Sequence, residues 1–384
     1  MPDGNRMKIA FVYDVIYPYV KGGVEKRVWE LAVRLAKRGH EVHIFGMKYW
    51  DGDDILIRDS VILHGVCPAR PLYAGGKRTL GEAINFSLRL IPHLGKYRFD
   101  IIDCQQFPFF SCLTAKSLAI IKRTPLVITW HEVWGNYWYT YLGRGAGMFG
   151  KWVERLVARL TPHILAVSAT TSENLRKTGC TQTVTIIPNG IDLAEIAATQ
   201  PSDVLTDIIF AGRLIREKHV DLLVEAIGLL VLHYPQLNAI IIGDGPERDQ
   251  IRLLIRARGL EDHITLRGFF EDHRKLIALF KSSKVFVLPS TREGFGITAL
   301  EAQACGLPIV TVDHPANAVR EIVEGKTGFL CALSAQDLAG NIRSALEKYG
   351  TMREACTAAS QRYDWNLIAD HAEEYYRAVV GTRA

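Results

Sequence analysis

Two glutamates, Glu293 and Glu301, lie within the stretch Ser290–Gly306, STREGFGITALEAQACG, as an E-x7-E pair. Glu293 falls in a glycine-containing turn, Glu293-Gly294-Phe295-Gly296, and Glu301 in the helix-favouring segment Ile297–Cys305. The start of such a helix offers unpaired backbone N–H groups and a partial positive charge, which suit a phosphate. At a rise of about 1.5 Å per residue, both carboxylates can face one crevice. Amides ready for an anion, flanked by carboxylates that accept from hydroxyls, point to a ligand carrying both a phosphate and sugars.

Further candidates lie elsewhere in the chain. Arg213 and Lys218 follow Gly212 in GRLIREK; a planar fork of donors and a point charge suit a diphosphate, although two loop cations are also what solvated surface looks like. Gly22-Gly23 reads as a backbone approach to a phosphate or as an ordinary tight turn. Gly243 opens the turn Gly243-Asp244-Gly245-Pro246, either structural or lining a ligand. His131, after an apolar run and before Glu132, can donate to a hydroxyl or phosphate, shuttle a proton, or be a structural histidine. His40, His43 and His163 read as structural. Asp51-Gly52-Asp53 has the spacing of a divalent-ion clamp but sits in a surface loop, and no other metal spacing occurs, so no metal site is expected. Residues 130–160 are dense in aromatic and basic side chains, which fits a membrane interface, an acceptor groove, a lid or plain core packing.

The elements that must hold these residues alternate strand and helix. Lys8–Tyr13, Glu41–Phe45, Asp100–Cys104, Pro125–Thr129, Ile164–Val167 and Thr183–Ile187 read as strands of a first half, with helices over Val24–Arg38, Ser111–Lys122 and Ser172–Thr178; the stretch between Phe45 and Asp100 is less regular. After Pro188-Asn189-Gly190, a strong turn signal, Leu193–Ser202 reads as a linker. The alternation then restarts at Asp207–Ala211 and continues through Leu237–Ile242, His263–Arg267, Val285–Leu288 and Ile309–Val312. Repeated βα units imply parallel sheets covered on both faces, with ligands at the carboxyl ends of the strands. The expected organisation is α/β: two doubly wound Rossmann-like domains facing a cleft, residues 1–192 and 193–362. A helix in 363–384 is expected to pack back on the first domain.

A chain of 384 residues is long enough for two such cores. No apolar run approaches the roughly 18 residues of a spanning helix, and the N-terminal apolar run is too short for a signal peptide. Seven scattered cysteines without CxxC favour reduced thiols and a cytoplasmic setting. A net charge of +5 suits phosphate ligands or an anionic membrane face and is too small to argue for nucleic acid.

Taken together, EGFGITALEAQACGLPIV, the Gly22-Gly23 loop, Trp130-His131-Glu132, Ala166-Val167-Ser168, PNGID at 188–192, GRL…EK at 212–218, GDGP at 243–246 and TGFL at 327–330 resemble the retaining GT-B glycosyltransferases of family 4 over nearly the whole chain. The resemblance implies a nucleotide-diphosphate sugar held mainly by the second domain and no cofactor. Arg213 and Lys218 would neutralise the diphosphate, and backbone amides of Phe295, Gly296 and Ile297 would touch phosphate and sugar. Glu293 would bind hydroxyls of the transferred sugar and Glu301 those of the ribose. Gly212 and Gly243 would line the donor site, and Gly268 and Phe269 lie where the family reads the base. Gly22 and Gly23 would approach from the first domain, with His131 beside the sugar. Two positions depart from the family's usual pattern: Glu132 stands where Asp often follows the histidine, and His219 where Gly often follows the lysine.

Through the resemblance, the expected activity is transfer of a hexosyl or N-acetylhexosaminyl group with retention, independent of metal. A UDP-sugar is the favoured donor, with GDP-mannose open. The expected acceptor is a glycan or lipid-linked hydroxyl, with peripheral contact to the inner, anionic face of a membrane as one setting. A sugar-nucleotide epimerase of similar fold and a silent sugar-nucleotide-binding protein are the alternatives.

Overall fold

The computed structural model describes residues 6–74, 77–323 and 325–381. They separate into two compact units, one holding the residues up to Asn189 and those from Trp365 onward, the other Gly190–Asp364.

The elements of the first unit are β1 (Lys8–Val12), α1 (Gly23–Lys37), β2 (Glu41–Lys48), β3 (Ile55–Arg58), β4 (Val61–Pro68), β5 (Tyr73–Ala74), β6 (Lys77–Arg78), α2 (Leu80–Gly95), β7 (Ile101–Gln105), α3 (Phe109–Lys122), β8 (Leu126–Trp130), α4 (Tyr137–Leu142), α5 (Arg144–Val157), β9 (His163–Ala166), α6 (Ala169–Lys177) and β10 (Val184–Ile186). Its eight-stranded sheet runs β10-β9-β8-β7-β1-β2-β4-β3, parallel except for the β3–β4 hairpin. The apolar runs that mark β1, β7 and β8 are buried almost throughout, as a parallel sheet covered on both faces requires. Chain order reverses between β1 and β7, so the loops after these strands and after neighbouring β8 gather at a topological switch point.

The second unit contains α7 (Leu193–Ala198), β11 (Thr206–Ala211), α8 (Val220–Val231), β12 (Ala239–Ile242), α9 (Arg248–Ala257), β13 (Ile264–Arg267), α10 (His273–Lys281), β14 (Ser283–Leu288), α11 (Ile297–Ala304), β15 (Ile309–Val312), β16 (Gly328–Cys331) and α12 (Ala335–Ser360). Its six strands run β13-β12-β11-β14-β15-β16, every pair parallel. Order reverses between β11 and β14. That switch brings the loop carrying Arg213 and Lys218 beside the turn carrying Glu293.

The last helix, α13 (Trp365–Gly381), belongs to the first unit. It buries Trp365, Ile368, Ala369, Ala372, Tyr376 and Val379, an apolar stripe at helical spacing. The stripe shares a core with Val28, Leu31 and Leu35 of α1. Arg38, the C-cap of α1, pins the helix through Asp370 at 2.7 Å and Glu373 at 3.0 Å.

Two segments differ from the sequence reading. Leu193–Ala198, expected as linker, is helical: the Asp192 carboxylate accepts from the Glu195 N–H at 2.8 Å and Ile196 is buried. The irregular stretch before Asp100 holds the β3–β4 hairpin and α2. In α2 one face buries Ala83, Phe86, Leu90 and Leu94, while Leu80, Ile84, Leu88 and Ile91 on other faces are exposed. With apolar residues on both sides, the amphipathic signal weakens.

Candidate functional site

In the second unit, Lys218 and Glu293 meet in an ion pair, both largely buried. Backbone contacts hold the two loops together: Thr291 N–H donates to the Glu217 carbonyl at 3.0 Å, and Ser290 Oγ donates to the same carbonyl at 3.1 Å. The Glu293 peptide is fixed on both sides, its N–H donating to the Ala316 carbonyl and its carbonyl accepting from Ala318 N–H, each at 3.0 Å. The buried Asn317 amide secures that segment by donating to Thr311 Oγ1 at 2.9 Å and the Val312 carbonyl at 2.8 Å. Asn317 and Ser290 carry no motif signal and only the fold identifies their role.

His219, which stands where the family often has glycine, takes the left-handed conformation at φ 47° that glycine enters freely. Its ring Nε2 is 3.0 Å from Thr291 Oγ1, a further tie between the loops. The turn therefore keeps a glycine's backbone shape with a side chain that bonds across it. Burial pushes the His219 pKa below its ordinary value. Arg213, on the same loop, is exposed, and its side chain has no ion pair among the described residues.

Helix α11 begins at Ile297 behind Gly296, whose φ is +89°; a Cβ there would lie 2.3 Å from Val319 Cγ2. The N–H groups of Phe295, Gly296 and Ile297 have no hydrogen-bond partner among the described residues. The Phe295 ring turns inward against Tyr363, edge to face at 5.9 Å, so the residue presents backbone rather than side chain. Glu301 is buried in α11, and its Oε1 lies 3.1 Å from Nε2 of His273, the first residue of α10. His273 Nδ1 is 3.4 Å from Glu195 of α7. Neither partner was legible without the packing of α7, α10 and α11.

Gly243, at φ +152°, has a packing reason of its own: a Cβ there would sit 1.9 Å from the Gly212 carbonyl oxygen. The turns after β11 and β12 thus pass in contact, joined by Leu214 N–H to the Asp244 carbonyl at 2.8 Å. Arg248, which sequence reasoning passed over, donates to the Gly243 carbonyl at 2.9 Å and borders Gly268. Phe269, beside it, is 61% exposed.

In the first unit, Gly22 is the N-cap of α1 and Gly23 its first residue, with the Glu25 carboxylate already in the first turn. His131 follows β8 and is buried. Its N–H donates to Gln106 Oε1 at 3.0 Å and its Nε2 lies 2.7 Å from Gln105 Oε1. Burial, reinforced by the Arg27 charge, holds its pKa well below the usual histidine value, so the ring is neutral. Glu132 accepts from the Trp134 indole at 3.2 Å. The buried Glu154 accepts from Trp134 N–H at 2.7 Å and Gly135 N–H at 2.8 Å, shaping the loop after His131.

The aromatic and basic stretch divides. Trp130 and Trp138 are core, and Trp134 and Tyr141 pack against it, while Met148, Phe149 and Trp152 of α5 face outward. The outward-facing part of the stretch is thus mainly α5, with Tyr139 of α4 also exposed. No helix among the described residues is long and apolar enough to cross a membrane. Nor do three His, Cys, Asp or Glu side chains among the described residues converge as metal ligands; Asp51 and Asp53 stay in a surface turn.

Residues 21–195 match the family described as Glycosyltransferase Family 4, and residues 196–363 that described as Glycosyl transferases group 1. The chain is 27% identical over 383 residues to a human phosphatidylinositol N-acetylglucosaminyltransferase chain, covering 97% of this chain and 76% of the relative. It is 26% identical over 404 residues to a glycogen synthase of Mycobacterium tuberculosis, covering 97% and 95%. Among solved structures, sucrose-phosphate synthase from Thermosynechococcus elongatus matches with a TM-score of 0.84 at 22% identity, covering 98% of this chain and 100% of that one. Anabaena HepE, solved with UDP and glucose, matches with a TM-score of 0.73 at 21% identity, covering 97% and 100%. These structural likenesses are of fold.

Proposed function

Because the chain belongs to the group 1 and family 4 glycosyltransferases and has their GT-B fold, we propose that it moves a hexosyl or N-acetylhexosaminyl group from a nucleotide-diphosphate sugar to an acceptor hydroxyl, with retention and without a metal ion. The observation that carries this is the Lys218–Glu293 pair beside the start of α11. A cation for the diphosphate and a carboxylate for sugar hydroxyls stand together, next to helix-start N–H groups that suit phosphate oxygens.

In this reading Lys218 leaves Glu293 for the β-phosphate, Arg213 joins it, and the amides of Phe295, Gly296 and Ile297 take the remaining oxygens. Glu293, once released, accepts from hydroxyls of the transferred sugar. Glu301 accepts from the ribose, and Gly212, Gly243, Gly268 and the exposed Phe269 border the nucleoside. In the first unit, the proposed site residues are Gly22, Gly23 and His131. The C1–O bond to the diphosphate breaks first, giving an oxocarbenium-like sugar. The acceptor oxygen attacks from the face the phosphate leaves, and a leaving phosphate oxygen takes its proton. The cations stabilise the departing charge, and Glu293 forms no bond to carbon.

A UDP-sugar is the favoured donor, in keeping with the UDP named for HepE. A lipid-linked acceptor is favoured by the outward apolar face of α5 and by the phosphatidylinositol in the human relative's name. A thermal-shift screen with UDP-glucose, UDP-N-acetylglucosamine and GDP-mannose tests the donor. A ligand at a hundred times its Kd adds about 2.7 kcal/mol of stability, so the preferred donor stands out. No shift with any of them, and no nucleotide release across a broad acceptor panel, would sink the proposal.

A further inference from the structure

A chain of polar side chains runs through the core of the first unit and ends at His131. Asp103 and Gln105 lie two residues apart on β7 and so share a face of the sheet. Thr129 is opposite Gln105 on β8. Asp103 Oδ1 accepts from Thr129 Oγ1 at 2.7 Å and from Gln105 Nε2 at 3.0 Å, and Oδ2 accepts from the hydroxyl of Tyr376 on α13. Gln105 Oε1 then meets His131 Nε2 at 2.7 Å. Asp103, Gln105, Thr129 and Tyr376 are all at most 2% exposed. Burial raises the Asp103 pKa; the bonds from Tyr376, Thr129 and Gln105 and the charge of buried Arg27 oppose that rise.

Donor and acceptor roles follow in sequence. Three donors and the Arg27 charge favour the ionised form of Asp103, which only accepts, so the Gln105 amide nitrogen faces Asp103 and its oxygen faces His131. That oxygen only accepts, so His131 carries its proton on Nε2. Nδ1 keeps its lone pair and has no partner among the described residues. Apolar side chains could fill this part of the core without the cost of burying polar groups. Retaining a fully connected polar chain that ends on a candidate site residue calls for a reason beyond packing.

We propose that Gln105 and, from the C-terminal helix, Tyr376 are positioning residues: through Asp103 they lock His131 as the Nε2–H tautomer and present Nδ1 as an acceptor for a substrate hydroxyl. This rests on the reading that His131 is a substrate-binding residue of the first unit. The chemistry it recognises is therefore a donated hydroxyl hydrogen and not an anionic phosphate oxygen, which an Nδ1 lone pair repels.

Nitrogen NMR of 15N-histidine-labelled protein tests the relay, with His131→Asn identifying the resonances. The wild-type ring is expected to show protonated Nε2 and bare Nδ1 at neutral pH. Gln105→Leu is expected to give mixed tautomers and a fall in kcat/KM of about fivefold, the worth of one hydrogen bond. Tyr376→Phe should shift the same resonances in the same direction, less far. Gln105→Glu should keep Nε2–H yet favour the imidazolium, adding an acid limb to kcat/KM with a midpoint above about pH 6. Rates are read as nucleotide release from whichever of UDP-glucose, UDP-N-acetylglucosamine and GDP-mannose raises the melting temperature. A wild-type ring protonated at Nδ1 would overturn the relay, as would folded Gln105 variants with unchanged tautomer and pH profile. His131→Asn protein that transfers as fast as wild type would instead remove the reading on which the relay rests.

Discussion

Lys218 and Glu293, 75 residues apart in sequence, are joined in an ion pair at the switch point of the second sheet. In the function proposed above, a donor diphosphate and its sugar separate them, and each side chain then exchanges its partner. Lys218→Met is expected to lower kcat/KM by roughly ten- to a hundredfold, since a hydrogen bond to a charged group is worth about 1.5–3 kcal/mol. Glu293→Gln should act similarly. Because the two touch, the double variant should lose less than the product of the single losses. Multiplicative losses would mean that the pair is not remade around a shared ligand, and a glycosyl adduct on wild-type Glu293 by mass spectrometry would mean that the carboxylate is a nucleophile.

Glu301 presents a separable test. If it accepts from ribose hydroxyls, Glu301→Gln should raise the Kd for UDP about tenfold. It should raise the Kd for 2′,3′-dideoxy-UDP hardly at all, because the hydroxyls it serves are absent. Calorimetry of the two ligands against both proteins gives the comparison, and an equal penalty for both would move Glu301 away from the ribose. His273, bonded to Glu301 at 3.1 Å, should then shift its imidazole resonances when UDP binds.

Much of this was legible in the sequence because parallel strands are written as short apolar runs, and the loops between them are punctuated by glycine. β11 and β14 each end in an unbroken apolar run of four residues and β15 is apolar except for Thr311, and Gly296 and Gly306 bracket α11 at positive φ. Through-space partners were not legible. Nothing local ties Asn317 to Glu293, His273 to Glu301, or Tyr376 to Asp103; each pairing exists only once strand order and helix packing are set. Helix α2 escaped for a different reason, its exposed Leu80, Ile84, Leu88 and Ile91 hiding the periodicity of its buried face. Glu154 was one member of a charged, aromatic run until its carboxylate was found under the Trp134–Gly135 turn.

His219 lends itself to a comparison of two substitutions. Left-handed backbone costs an L-residue about 1–2 kcal/mol, and the bond to Thr291 returns about 1 kcal/mol. His219→Gly relieves the first and loses the second, so its stability should stay close to wild type. His219→Ala keeps the strain and loses the bond, and should be less stable by about 1 kcal/mol. Urea denaturation at constant m-value checks the order; alanine at or above glycine would show that the turn relaxes when the ring is removed.

Stability should fall as the solution is acidified through the histidine range. Burial pushes His64 down to about 3, with neighbouring His43 adding to the effect, and His43 itself is lowered by burial. The rings share a 2.8 Å hydrogen bond, and His64 stacks on Phe45 at 4.3 Å. Unfolded, each histidine binds its proton near pH 6.5, so below that the unfolded chain holds more protons than the folded one. Each group's contribution is fully present above the unfolded value and is lost as pH falls from there toward the folded one. His64→Gln should remove one such proton, making the loss shallower by at most about 1.4 kcal/mol per pH unit. An unchanged slope between pH 6 and 5 in chemical denaturation would place the acid sensitivity elsewhere.

Helix α5 decides whether the acceptor is met at a membrane. Met148, Phe149 and Trp152 are 65%, 53% and 59% exposed, and the last two rings stack at 6.1 Å. Arg144, Arg155 and Arg159 are exposed on the same helix or just beyond it. An apolar face flanked by arginines is the arrangement that lies in a headgroup layer, where each basic residue contributes about 1 kcal/mol against anionic lipid. Binding to vesicles containing phosphatidylglycerol should fall about tenfold or more when Met148, Phe149 and Trp152 become serine, with little change in melting temperature because each side chain is already more than half exposed. Arg144→Gln with Arg155→Gln should weaken binding mainly at low salt, where the charges are least screened. Vesicles that do not bind the wild-type protein, or bind the serine variant equally well, would assign the apolar face to another role and leave a diffusible glycan as the better acceptor.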